Sequence, residues 1–219
     1  VSPNRRRSPA EPTAPPLVAL GVAVLLYLAV PETFPVDHRL PIAGLLVVGT
    51  LSVAIAHWMQ IERPARWSGV VAQIIAALLV SANVGAGVDV MIVFGEPGSS
   101  GLIRLLIAAA QVGVAQILAF ALVFWLVDRG GPFVRRYRPI EELPTADFDF
   151  TGPGRYIDPS WAPSFGDYLV LSLRTAFAVT ASGPRSRTLR ARILTGVQAF
   201  TGFALLGVVI VKTVARLVA

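Results

Sequence analysis

The side chains able to do chemistry are few and fall in four places. Asp147 and Asp149 form a D-x-D pair, and carboxylate oxygens at that spacing could hold a divalent ion. No glycine-rich phosphate loop stands near them in sequence. Ser81 and Ser172 are potential hydroxyl nucleophiles, yet neither has a His at helical spacing to act as base, and His57 has no carboxylate close in sequence to orient it. Gln73, Asn83, Asp89 and Gln116, with Gln111 and Gln198, are polar groups set in long apolar runs. Polar side chains in such runs either line a path for ions or solutes or hydrogen-bond one helix to another. Arg174 stands midway along a short amphipathic stretch. There is no cysteine, which excludes disulfides, thiol catalysis and Cys-ligated zinc or iron–sulfur centres, and two histidines are too few for a His-rich metal site. The reading at this point is a protein that is not an enzyme and carries no cofactor or metal.

These groups need a scaffold, and composition says which kind. Of 219 residues, 54% are hydrophobic and 15% charged, against about a quarter charged in a soluble domain. Several apolar runs exceed the roughly 18 residues that mark a bilayer-spanning helix. The chain reads as an integral membrane protein. Its net charge of +6 comes almost wholly from arginine, Lys212 being the one lysine. Arginines placed between apolar runs set membrane orientation, so nucleic acid is not an expected partner. The lipid bilayer is, together with a protein partner or self-association through small-residue helix faces.

Residues 1–16 form a Pro/Arg tail that cannot bury a core. Residues 17–127 hold four expected spans: Leu17–Val30, Leu40–Met59, Trp67–Phe94 and Leu102–Val127. In the third, Gln73, Ala76, Val80, Asn83 and Gly87 share one helical face, taken as the inward one. In the fourth, Ala109, Gly113, Gln116 and Phe120 form a stripe in which small residues permit close approach and Gln116 can bond to a neighbour. Residues 128–163 are the long polar segment, basic at Arg135, Arg136 and Arg138 and acidic from Glu141 to Asp149. Its recurring Pro and Gly predict a loop without regular structure.

Residues 164–192 predict an amphipathic helix and an arginine-rich turn. Ser164 is a good N-cap with Asp167 three residues on, as in a capping box. A helix running to Thr180 would be ~24 Å long, short of the ~30 Å hydrocarbon core. With Arg174 at its middle, a re-entrant or interfacial placement is favoured over a crossing. Arg174 is expected to pair with Asp128 or an acid of 141–149, so Asp167, Arg174 and Asp128 anchor the helix. Arg135, Arg136, Arg138, Arg185, Arg187, Arg190 and Arg192 are expected at lipid headgroups. Residues 193–217 complete the chain as a last span.

With five spans and the N-terminus inside, 15 of the 19 basic residues lie on the inner side. Letting the short helix cross gives a weaker bias, so the positive-inside rule favours the first arrangement. The expected fold is all-α, a polytopic transmembrane bundle of five spans plus one short re-entrant or interfacial helix, with six spans as the alternative. The expected location is the bacterial cytoplasmic membrane.

Two stretches resemble a family. Phe124-Trp125-Leu126-Val127-Asp128-Arg129-Gly130-Gly131-Pro132 is similar to the WELDRGGP run of small, largely uncharacterised bacterial polytopic membrane proteins. Trp161-Ala162-Pro163-Ser164-Phe165-Gly166-Asp167-Tyr168-Leu169 resembles their W-x-P-[ST]-F-x-D-Y-L, and residues 175–184 resemble their TAFSPTDTMP, with Ala181 where that segment carries Asp. The helix–turn–span pattern of that family is itself similar to the pore helix, filter and inner helix of two-span potassium channels. That resemblance implies a pore-loop shape. It does not extend to a potassium filter, because residues 179–184 lack the Gly-Tyr-Gly carbonyl ladder. The function expected from all this is a structural or accessory subunit of a membrane assembly, or a homo-oligomer. The alternative is a degenerate pore-loop channel or small-solute transporter.

Overall fold

The structure is a computed structural model. It describes residues 14–29, 102–150, 162–177 and 184–218, and seven single helical residues between Ile74 and Ile92. The described part is all-α apart from one two-residue ladder. Helix α1 is Ala14–Leu28, α2 Leu102–Val127, α3 Pro132–Tyr137, α4 Phe165–Ala176 and α5 Leu189–Val218. Strand β1 (Phe148–Asp149) pairs antiparallel with β2 (Arg185–Ser186), Phe148 opposite Ser186.

Two described stretches, Leu106–Gly130 and Leu189–Ala215, are helical, long and apolar enough to cross a membrane. The second and most of the third expected span lie outside the described residues, so neither the five-span count nor the six-span alternative is counted here. Helix α1 starts at Ala14, inside the stretch expected to be tail. Pro15 and Pro16 sit in its first turn, where a missing N–H costs nothing. Its Ala19, Leu20, Ala23 and Val24 are buried, and α1 packs against α2. Helix α2 has the expected bounds. From Ala119 to Asp128 it is buried on every side, wrapped by α1, α4 and α5.

The chain leaves α2 through a corner that its sequence dictates. Asp128–Gly130 form a 3-10 turn, and Arg129, Gly130 and Gly131 take φ of 51°, 79° and 94° in succession. Only glycine adopts the last two without strain. Pro132 then opens α3 at the one helical position that suits it. The segment 128–163 was expected to lack regular structure. Its described part instead holds that turn, α3, a second 3-10 turn at Ile140–Glu142, and β1. Pro and Gly end helices here, but short turns persist between them by closing local hydrogen bonds, and β1 by pairing with the distant β2.

The capping box forms as the sequence predicts: the Asp167 carboxylate accepts from the Ser164 N–H and from its hydroxyl, both at 2.8 Å. Helix α4 ends at Ala176 rather than Thr180, with the Phe177 N–H closing on the Leu173 carbonyl at 3.3 Å. Helix α5 starts four residues before the expected Ile193, which puts Arg190 and Arg192 on the helix. At Gly202 its backbone meets α4, where an added Cβ would lie 3.0 Å from the Ala176 carbonyl oxygen. Gly202→Leu is therefore expected to push α4 off α5 and lower the thermal midpoint of the solubilised protein. Gly207→Leu, in open space, should leave it unchanged.

Candidate functional site

Two buried polar clusters join the helices. The first caps the end of α2. Asp128, 0% exposed, accepts the Tyr168 hydroxyl of α4 at 2.6 Å and the Asp147 N–H at 2.8 Å. Its own carbonyl, with that of Trp125, takes the Arg135 guanidinium at 2.7 and 3.0 Å. Arg135 is 3% exposed and lies 5.8 Å from the Trp125 ring centroid and 5.7 Å from that of Tyr168. Burying a cation is costly unless its donors are met. Here carbonyls at the end of α2 meet them, and the helix dipole favours positive charge at that end.

Asp147, also fully buried, continues the cluster toward α5. Its carboxylate accepts from Arg190 Nε at 2.6 Å and Nη2 at 2.5 Å, from the Thr188 hydroxyl at 2.5 Å, and from the Arg129 N–H at 3.3 Å. Asp149 takes Arg187 at 2.7 Å. The D-x-D pair is thus spent on arginines, and among the described residues no group of three metal-ligating side chains forms. A ring of aromatics packs beneath: Phe124 on Phe148 at 5.0 Å and Phe150 on Tyr168 at 5.1 Å.

The second cluster lies deeper. Gln116 of α2 donates to the Gln198 carbonyl of α5 at 3.1 Å and to the Thr201 hydroxyl. Gln198 donates to the Ser172 carbonyl of α4 at 3.0 Å and to its hydroxyl at 2.7 Å. Ser172 in turn donates to the Ile117 carbonyl of α2 at 2.7 Å. The three helices are stitched at one level, and Ser172 is spent on that stitch with no imidazole beside it among these bonds. Gln198→Leu removes two of these bonds but also the unpartnered Gln198 Oε1. Its expected cost is about 0.6–1.7 kcal/mol, the span measured for hydrogen bonds between membrane helices, read as a shift in thermal midpoint.

Together the clusters fix how α4 runs. The Tyr168 hydroxyl reaches to Asp128 at one end, and Ser172, one turn further along α4, bonds the Ile117 carbonyl deep in α2. Ala176 is level with Gly202, ~20 Å into α5 at 1.5 Å per residue. Arg185 is back beside Asp149. Helix α4 therefore runs between α2 and α5 away from the Asp128 corner, and Arg185 lies back beside that corner.

Of the residues singled out from sequence, Gln116, Asp128, Arg135, Arg187 and Arg190 are brought into these contacts, while Asp167 stays in the local capping box with Ser164. Gln73, Asn83 and Asp89 lie outside the described residues, as does the side chain of Arg136. The Asp128 carboxylate takes its described bonds from Tyr168 and the Asp147 backbone, not from Arg174. Arg135 was expected at lipid headgroups and is instead buried against carbonyls. Arg187 and Arg190 face carboxylates. Arg138, Arg185 and Arg192 are exposed. Sequence reasoning took Asp147 as an ion ligand and missed Tyr168 and Thr188 as contact-makers; their partners stand 40 and 41 positions away. Compared with family models, curated proteins and solved structures, the chain matches none.

Proposed function

We propose that this chain is a non-catalytic subunit embedded in the bacterial cytoplasmic membrane, either an accessory part of a larger assembly or the protomer of a homo-oligomer. In this reading five spans carry the bundle, α4 is re-entrant from the cytoplasmic side, and the N-terminus is cytoplasmic. One contrast carries the reading. The polar side chains buried in the two clusters bond within the chain, to one another or to backbone carbonyls, while the far half of α5 turns Leu206, Ile210, Val211 and Val214 outward. Of the most apolar stretch of α2, 56% is buried by the rest of the chain, against 11% for α5. Chemistry turned inward and an apolar helix turned outward suit a part that joins other helices. Cross-linking in native membranes, followed by mass measurement of the untagged protein, should give species well above the 23.3 kDa monomer. Monomer alone would overturn the proposal.

A second reading, a pore-loop channel, is favoured by the run of α4 away from the Asp128 corner and the return of the chain to it, the shape that the family resemblance also implies. It predicts ion flux through purified protein in liposomes, reduced by Asn83→Leu or Asp89→Leu. Sealed liposomes would exclude it.

A further inference from the structure

We infer that the first turns of α5 hold an anionic phospholipid, its phosphodiester against Arg185 and Arg192 and one acyl chain along the helix face below. The inference rests on the membrane reading above. Of the four arginines between 185 and 192, Asp149 neutralises Arg187 and Asp147 neutralises Arg190. Arg185 and Arg192 are exposed and have no acidic partner among the described residues. The fold has thus sorted one basic run into two internal ties and two outward charges.

The face beneath those charges has a shape. Leu189, Ile193, Gly196, Phe200 and Phe203 repeat at spacings of four and three residues, so they form one stripe down α5. All five are exposed, Phe200 at 75%. At Gly196 an added Cβ would meet nothing within 4 Å, which leaves a shallow notch between Ile193 and Phe200. Arg192 borders this stripe at its upper end. Positive charge at the rim with an apolar notch directly below complements one molecule with an anionic head and a hydrocarbon tail. A second copy suits this half of the helix poorly, since parallel packing about the stripe would set Arg192 against Arg192.

The test uses the full chain in mixed micelles holding phosphatidylglycerol and phosphatidylcholine in equal amounts, with bound lipid read by native mass spectrometry. The wild type should retain phosphatidylglycerol over phosphatidylcholine by roughly 25-fold, two arginines near an anionic head each contributing about fivefold. The R185Q/R192Q double variant should retain the two equally. Its fold is preserved, because neither side chain holds a described contact, and an unchanged thermal midpoint checks this. Gly196→Leu should lower phosphatidylglycerol occupancy by filling the notch. No preference in the wild type, or a preference intact in the double variant, overturns the inference. So does a dimer whose amount falls with Gly196→Leu whatever lipid is present. A protein that stays in solution without detergent and retains neither lipid would instead refute the membrane reading itself.

Discussion

Asp128→Ala is expected to destabilise the solubilised protein by about 2–5 kcal/mol, the sum of leaving two or more buried donors unmade. The Tyr168 hydroxyl and the Asp147 N–H both end on this carboxylate. Asp128 itself is fully buried, so water cannot readily replace it. Tyr168→Phe should cost less, about 1.5–3 kcal/mol, the usual worth of a hydrogen bond to a charged group. The double variant should be less destabilised than the sum of the two, because the bond they share is lost only once. Thermal midpoints in detergent, followed by gel filtration, read all three. An Asp128→Ala protein that melts like wild type would mean the α2–α4 corner is held by the aromatic packing alone.

Gly131→Ala should be nearly as damaging, at ~2–3 kcal/mol or more. With φ 94° and ψ 172°, Gly131 occupies a region essentially closed to other residues. An added Cβ would also stand 2.8 Å from the Leu126 carbonyl oxygen, a backbone atom of a fully buried helix that cannot move aside. Gly130→Ala is the internal control. It too has positive φ, but its added Cβ meets only the Val134 side chain at 3.3 Å, so the loss should be smaller. Equal midpoints for both alanine variants would show that the corner relaxes as a unit.

Much of the frame was legible in the sequence, for physical reasons particular to each element. Helix α2 could be bounded because its apolar run ends abruptly in Asp-Arg-Gly-Gly-Pro, whose two glycines and proline oppose further helix. The start of α4 could be read from Ser164 and Asp167, since a capping box is a local device. The bond from Gln116 to a neighbouring helix followed from a lone amide amid apolar residues. The roles of the arginines could not be read. Arg135 and Arg138 look alike in sequence. Only the fold brings the Trp125 and Asp128 carbonyls to the first and leaves the second exposed. Asp147 and Asp149 suggested an ion ligand because their partners, Arg190 and Arg187, come from a distant segment brought close by the β1–β2 ladder. The end of α4 was overestimated because the residues after Ala176 are as apolar as those before.

The bond between α4 and α5 has a bearing on how the protein is made. Gln198 donates to Ser172, yet Gln198 leaves the ribosome 26 residues later. On the membrane reading proposed above, an emerging α4 has no such partner and stays at the lipid boundary until α5 follows it. A nascent chain stalled before Gln198 should therefore leave residues 165–176 open to protease, whereas one in which all of α5 has emerged should shield them.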